Sequence, residues 1–180
     1  MSTEKVLVLN ATGKVGRNVC RALFEAGYEV YGTTRADQGA LAALGAKAVV
    51  CNYTVRADLD RAFAQTGATK VFVITDYFRA ARKSADLEFE QGRAAIDAAK
   101  AAGVDHLVFM SVADAEFFDR HVKHLHTRGV SENSARRAHS RGLVSLSRAL
   151  RQRRENRPWG LSEHPAACNG CSAPDSDLSA

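Results

Sequence analysis

Cysteine, proline and large aromatic residues are scarce in this sequence, and long apolar runs are absent. No apolar stretch approaches membrane-spanning length. Nothing in Met1–Lys5 resembles a signal or transit peptide, so a soluble, cytoplasmic protein with no membrane partner is the expectation. Four cysteines are too few for a disulfide scaffold, and Cys20 and Cys51 sit inside apolar patterns, as reduced core thiols do. All three prolines lie beyond residue 157, while residues 119–180 contain no Phe, Tyr or Ile and only one large aromatic, Trp159. Two compositions are therefore joined near residue 120, and each is read on its own.

Charge divides the chain at the same place. Residues 1–118 carry 14 Lys+Arg against 14 Asp+Glu, and residues 119–180 carry 11 against 6, so the whole net charge of +5 belongs to the second part. Five of the six histidines are there as well. With 180 residues, the chain is long enough for one domain with a buried core. The composition places that domain in residues 1–118 and makes 119–180 an irregular Arg-rich tail.

The first part alternates two periodicities. Lys5–Asn10 is an almost continuous apolar run, as a strand buried on both faces requires. Val15, Val19, Ala22, Leu23 and Ala26 then repeat at helical spacing up to Gly27. Tyr28–Thr34, Lys47–Cys51, Val71–Thr75 and His106–Ser111 read as further strands, with helices over Leu41–Leu44, Ala57–Ala64 and about Ser84–Ala102. In the last helix Leu87, Gln91, Ala94, Ala95, Ala98 and Ala102 are expected on the buried face. Strands alternating with helices predict an α/β fold, a doubly wound parallel sheet of about five strands.

Between the first strand and helix lies Asn10-Ala11-Thr12-Gly13-Lys14-Val15-Gly16, a Gly-x-x-Gly-x-x-Gly loop with Asn10 in the first glycine position. Asn tolerates the left-handed backbone that such a turn needs. Gly13 leaves room for a pyrophosphate to approach, Gly16 lets the helix pack closely, and free amides at the helix start attract the anion. The loop follows a strand and opens a helix, which is the context for dinucleotide binding in a Rossmann-type sheet. At the end of the second strand, where an NAD site usually places an acid, stands Thr33-Thr34-Arg35. A guanidinium suits the 2′-phosphate of NADP, and Lys14 adds a second positive charge. The alternative is a solvated Arg35 with Asp37 serving NAD instead.

These residues, with Ile74-Thr75-Asp76-Tyr77-Phe78, Glu90-Gln91-Gly92, Ala98–Val104 and His106–Ser111, make residues 4–115 resemble the NmrA-like family of atypical short-chain dehydrogenase/reductases. The resemblance implies an NAD(P)-binding Rossmann domain whose substrate region comes from later segments. It implies that Asn10, Thr12, Gly13, Lys14, Val15 and Gly16 hold the pyrophosphate and that Arg35 meets the 2′-phosphate. Asn52 would lie near the adenine, Thr75 and Tyr77 on the nicotinamide side, and Ser111 at the site end of the fifth strand. Members divide between reductases, for carbonyl or quinone substrates here, and non-catalytic redox sensors that bind a partner protein. The Tyr-x-x-x-Lys acid of ordinary short-chain dehydrogenases is missing: Tyr28, Tyr31, Tyr53 and Tyr77 are followed four residues later by Gly32, Arg35, Ala57 and Ala81. His124 with Arg128 is the nearest match to the family's His-x-x-x-Lys, and arginine cannot serve as an ordinary proton donor. Ser111 is left as the one weak catalytic candidate.

From about Arg128 the resemblance ends, and the sequence reads like a GC-rich gene translated out of frame, as a frameshift, a misplaced intron or an alternative splice near codon 127 would produce. Residues 128–157 hold nine arginines and two acids, but no aromatic interleaves with them to stack on bases, so nucleic-acid binding is not the expected use. Leu143, Leu146 and Leu150 fit one face of a short basic helix around 145–154. Cys168 and Cys171 with His164 lack a fourth zinc ligand, and Asp119, His121, His124 and His126 have no fixed geometry, so no metal is expected. Ending at five strands would leave the outer edge of the fifth unpaired and one sheet face thinly covered, which predicts marginal stability or a homodimer.

Overall fold

The computed structural model describes residues 4–36, 38–111 and 143–145. Along them run β1 (Lys5–Val8), α1 (Lys14–Glu25), β2 (Glu29–Thr34), α2 (Gly39–Ala42), β3 (Lys47–Val50), α3 (Arg56–Thr66), β4 (Lys70–Val73), α4 (Ala85–Ala101), β5 (His106–Phe109) and β6 (Leu143–Ser145). The strands form one parallel sheet in the order β3-β2-β1-β4-β5-β6. The chain leaves β1 outward through β2 to β3, then crosses back to lay β4 against the other side of β1. The carboxyl ends of β1 and β4 therefore flank the point where the winding reverses, which is where open sheets of this kind leave a crevice.

Alternation along the strands sorts the two core layers. Leu7, Leu9, Val49, Val71, Val73, Leu107 and Phe109 face α3 and α4, whereas Val6, Val8, Val30 and Phe72 face α1 and α2. Because both faces are covered, β1 reads as an uninterrupted apolar run and not as an alternating one. Coverage thins toward β5. There Leu107 and Phe109 are fully buried on the α4 side, while Val108 and Met110 on the opposite side are only half-buried. This agrees with the expected thinly covered face.

Two expectations need correction. The parallel sheet of about five strands is as expected, but the outer edge of the fifth is not bare: among the described residues, Leu143–Ser145 pairs in parallel with Leu107–Phe109 as a short sixth strand. The outer edge of β5 is thus occupied, and the argument for a homodimer built on a bare β5 edge falls away. The same pairing puts Leu143 and Ser145 in a strand and not in a helix; Leu146 and Leu150 lie outside the described residues. The short Leu-Val-Ser run satisfies open backbone groups that an Arg-rich composition gave no reason to place in a sheet.

The second correction concerns α4. Leu87 is 49% exposed, and Glu88 beside it is 1% exposed. The inward face runs through Glu88, Gln91, Gly92, Ala95, Ile96, Ala98 and Ala99, so Gln91, Ala95 and Ala98 are buried as expected, Glu88 takes the place of Leu87, and Ala102, beyond the helix, is exposed. Ser84 caps the helix by accepting the Leu87 N–H at 3.3 Å.

The β3–α3 turn is held by a carboxylate. Asp58, in the first turn of α3, accepts the Asn52 N–H at 2.9 Å and an Arg61 N–H at 2.8 Å. The Asn52 N–H bond is the main reason that its carboxyl titrates below the usual range. A folded-state pKa depressed in this way adds stability above the unfolded value of about 3.9, and that stability is lost as pH falls through the folded value. Thermal unfolding of Asp58→Asn should therefore show a lower Tm than the parent at pH 7, and the difference should shrink as pH falls below the unfolded value of about 3.9.

Candidate functional site

The carboxyl ends of β1, β2, β3 and β4 open onto a cleft of about 750 Å³. Its floor is the turn after β1. Asn10 has a φ of 53°, the left-handed conformation anticipated for that position, and its carbonyl accepts the Gly13 N–H at 3.1 Å. The Asn10 N–H donates to the Thr33 hydroxyl at 3.0 Å, and that hydroxyl donates to the Val8 carbonyl at 3.4 Å. Thr33 thus ties the ends of β1 and β2 together.

Gly16 is where the helix meets this turn. A Cβ built there would stand 2.2 Å from the Asn10 carbonyl oxygen and 2.7 Å from Ala11 Cα. Both are backbone atoms, so no side chain can swing aside. Gly13 is the N-cap of α1 with φ −71° and ψ 165°, and no side chain caps the helix or supplies an acid in its first turn. The orphan amides of α1 are left open to the cleft with the positive end of the helix dipole behind them.

Charge reinforces this. Among the described residues, Lys14, Arg17, Arg35 and Arg79 line the cleft, against one carboxylate, Asp76. Arg35, just past β2, is exposed and forms no ion pair among the described residues. Cys51 lines the wall, and burial pushes its thiol up to about 11, so it stays protonated at neutral pH and is no nucleophile. Tyr53, also in the wall, is 7% exposed, its hydroxyl has no hydrogen-bond partner among the described residues, and burial raises its pKa further above the tyrosine range.

Of the residues singled out by sequence, Asn10, Thr12, Gly13, Lys14, Val15, Gly16 and Arg35 meet at the cleft. Asn52, Thr75, Tyr77 and Ser111 are not among its lining residues. The Asn52 side chain is turned to its own loop, accepting the Thr54 N–H at 3.3 Å and hydroxyl at 2.8 Å. The Thr75 hydroxyl donates to Glu88 Oε1 at 2.7 Å. Tyr77 packs edge-on against Phe78 with ring centroids 5.3 Å apart. Ser111 is 6% exposed, and its hydroxyl has no partner among the described residues. Asp37, His121, His124, His126, Arg128, His164, Cys168 and Cys171 lie outside the described residues.

Thr33, Cys51, Tyr53, Arg17 and Arg79 join the cleft without having been expected. Arg17 carries a usable signal, since it follows the glycine loop by one residue and so belongs to the first turn of the helix. The others arrive from strand ends and a loop far away in sequence. Among the described residues no group of three His, Cys, Asp or Glu is placed to hold a metal, and no helix is long and apolar enough to cross a membrane.

The NmrA-like family pattern matches residues 2–128. No curated protein matches the chain by sequence. Among solved structures, the fold matches triphenylmethane reductase of Citrobacter sp. complexed with NADP(H), with 24% identity, TM-score 0.62, and coverage of 74% of this chain and 46% of that one. It matches the NADPH-dependent quinone oxidoreductase of Escherichia coli complexed with NADPH at 25% identity, TM-score 0.59, covering 74% and 45%. UDP-glucose 4-epimerase of Brucella ovis in complex with NAD matches at 14% identity, TM-score 0.66, covering 79% and 51%. The chain spans about half the length of each of these proteins.

The two turn residues predict opposite responses. Gly16→Ala forces backbone apart and should cost at least about 1–3 kcal/mol. Asn10→Gly meets the left-handed φ without a Cβ and should melt close to the parent, while Asn10→Val should lose about 1–2 kcal/mol. Urea denaturation of the three variants measures all of this.

Proposed function

The chain belongs to the NmrA-like family, and from that membership we propose that it binds a nicotinamide dinucleotide, preferring NADP(H) to NAD(H), in the cleft at the strand ends. The carrying observation is Arg35, an exposed guanidinium lining the cleft from the end of β2 and forming no ion pair among the described residues. The residues present fit the group. The uncapped start of α1 and the close approach at Gly16 form a cradle for a pyrophosphate, with Asn10, Thr12, Gly13, Lys14 and Val15 around it. Arg35 meets the 2′-phosphate through charge-assisted hydrogen bonds, which an unmodified ribose does not offer. Asn52 serves the adenine end, and Thr75, Tyr77 and Ser111 the nicotinamide end, as the family resemblance implies. Support comes from the bound NADP(H) and NADPH of the two reductase structures.

The reaction we propose is reduction of a carbonyl or quinone substrate. The bound cofactor supplies a hydride, and the chain positions it and shields it from water. Ser111 is the hydrogen-bond donor to the acceptor oxygen. A second reading, a non-catalytic NADP(H) sensor that binds a partner protein, is favoured by the missing Tyr-x-x-x-Lys pair. NADPH consumption over a panel of carbonyl and quinone compounds separates the two, and Ser111→Ala should abolish any turnover found.

Calorimetric titration tests the cofactor assignment. NADPH should bind more tightly than NADH. Arg35→Ala should weaken NADPH about 10–100-fold while changing NADH by less than about threefold. Equal affinity for the two nucleotides, unchanged by the substitution, would sink the preference, and no binding of either would sink the assignment itself.

A further inference from the structure

The residue that α4 turns toward the sheet is unexpected on packing grounds alone. Leu87 is available in the first turn and would fill an apolar slot, yet it is 49% exposed while Glu88 is 1% exposed. Burying a carboxyl is costly unless it is bonded, and here the bond is to the Thr75 hydroxyl, 2.7 Å from Oε1. Three residues along the same helix face, Gln91, 4% exposed, accepts the Asp76 N–H through Oε1 at 3.3 Å. Two polar side chains of one helix thus hold two consecutive residues at the exit of β4.

What leaves from that anchor is the connection to α4, and it enters the cleft. Asp76, Phe78 and Arg79 line the cleft. The connection is folded back on its own start: Asp76 accepts the Arg79 N–H at 3.0 Å through Oδ1 and the Ala81 N–H at 2.9 Å through its carbonyl. Tyr77 accepts the Lys83 N–H at 2.7 Å, and Arg82 and Lys83 both take positive φ, 49° and 60°. A loop closed on Asp76 moves with Asp76. In the sheet, β4 and β2 lie on opposite sides of β1, so this loop forms the wall across from Arg35. With the 2′-phosphate at Arg35, the wall beside β4 receives the nicotinamide half.

We infer that Glu88 and Gln91 are positioning residues, which hold the β4 exit from behind and so set the wall against which the nicotinamide half of the dinucleotide rests. Neither touches the cofactor. The inference rests on the dinucleotide reading above and adds to it a pair of residues on α4 that act through Thr75 and Asp76.

The test separates the two halves of the ligand. 2′,5′-ADP carries the adenine and the 2′-phosphate but no nicotinamide, and NADPH carries both. Glu88→Leu, Thr75→Val and Gln91→Leu are each titrated with the two probes on the full chain, and Glu88→Gln, which keeps an acceptor for the Thr75 hydroxyl, serves as the conservative rescue. Each of the three disruptive variants should weaken NADPH roughly tenfold, the size of one lost buried hydrogen bond. 2′,5′-ADP should change by less than about twofold, within the noise of an untouched subsite. Glu88→Gln should bind both probes as the parent does. Thr75→Val removes a single oxygen and keeps the test valid should Glu88→Leu not fold. Equal loss of both probes, or no loss of NADPH, overturns the positioning role while leaving the dinucleotide reading intact. A parent chain that binds neither probe overturns that reading and this one with it.

Discussion

The approach of helix α1 to the end of β1 is the contact on which the rest of the site depends. Gly16 lies so close to the Asn10 carbonyl that a Cβ would sit 2.2 Å from it. Only at that distance does the first turn of the helix stand directly at the strand end, with its uncapped amides in the crevice. The left-handed Asn10 and its bond to Thr33 set the angle at which the chain enters the turn. Close packing at one glycine is thereby converted into an electrostatic property, a positive helix end held where the sheet winding reverses.

The side chains around that point strengthen a single sign of charge. Among the described residues four cations share the cleft with one carboxylate, and Asp76 is occupied by its own loop through the Arg79 N–H. The other groups of the wall are chemically quiet. Cys51 is a protonated thiol, and Tyr53 is a phenol whose ionisation burial opposes. Among the described residues, the lining suits an anionic ligand and offers little acid–base chemistry of its own. That division of labour suits a cofactor which brings the reactive hydrogen with it.

On the opposite face of the sheet, α4 shows polar bonding prevailing over apolar packing. A rotation of one residue would have buried Leu87, and the bonds from Glu88 to Thr75 and from Gln91 to the Asp76 amide hold the helix the other way. Such buried bonds are directional, which an apolar contact is not. They fix the β4 exit to within hydrogen-bond tolerance.

The alternation of strands and helices through β5 is legible in the sequence, because burial on both faces and helical spacing leave distinct local periods. So is the phosphate-type turn, since a left-handed Asn10 and a Cβ-free Gly16 are demands that single residues meet or fail. Tertiary structure decided three other matters. The rotation of α4 depends on Thr75, thirteen residues from Glu88 in sequence, and no helical pattern contains that partner. Cys51 and Tyr53 reach the cleft because β3 lies beside β2, and Arg79 because the crossover from β3 to β4 lays β4 against the far side of β1. The place of Leu143–Ser145 beside β5 is set by the open backbone edge of that strand, which offers hydrogen bonds to almost any short extended segment. A composition dominated by arginine and serine carries no trace of that offer, because edge pairing is satisfied by the main chain and not by the side chains.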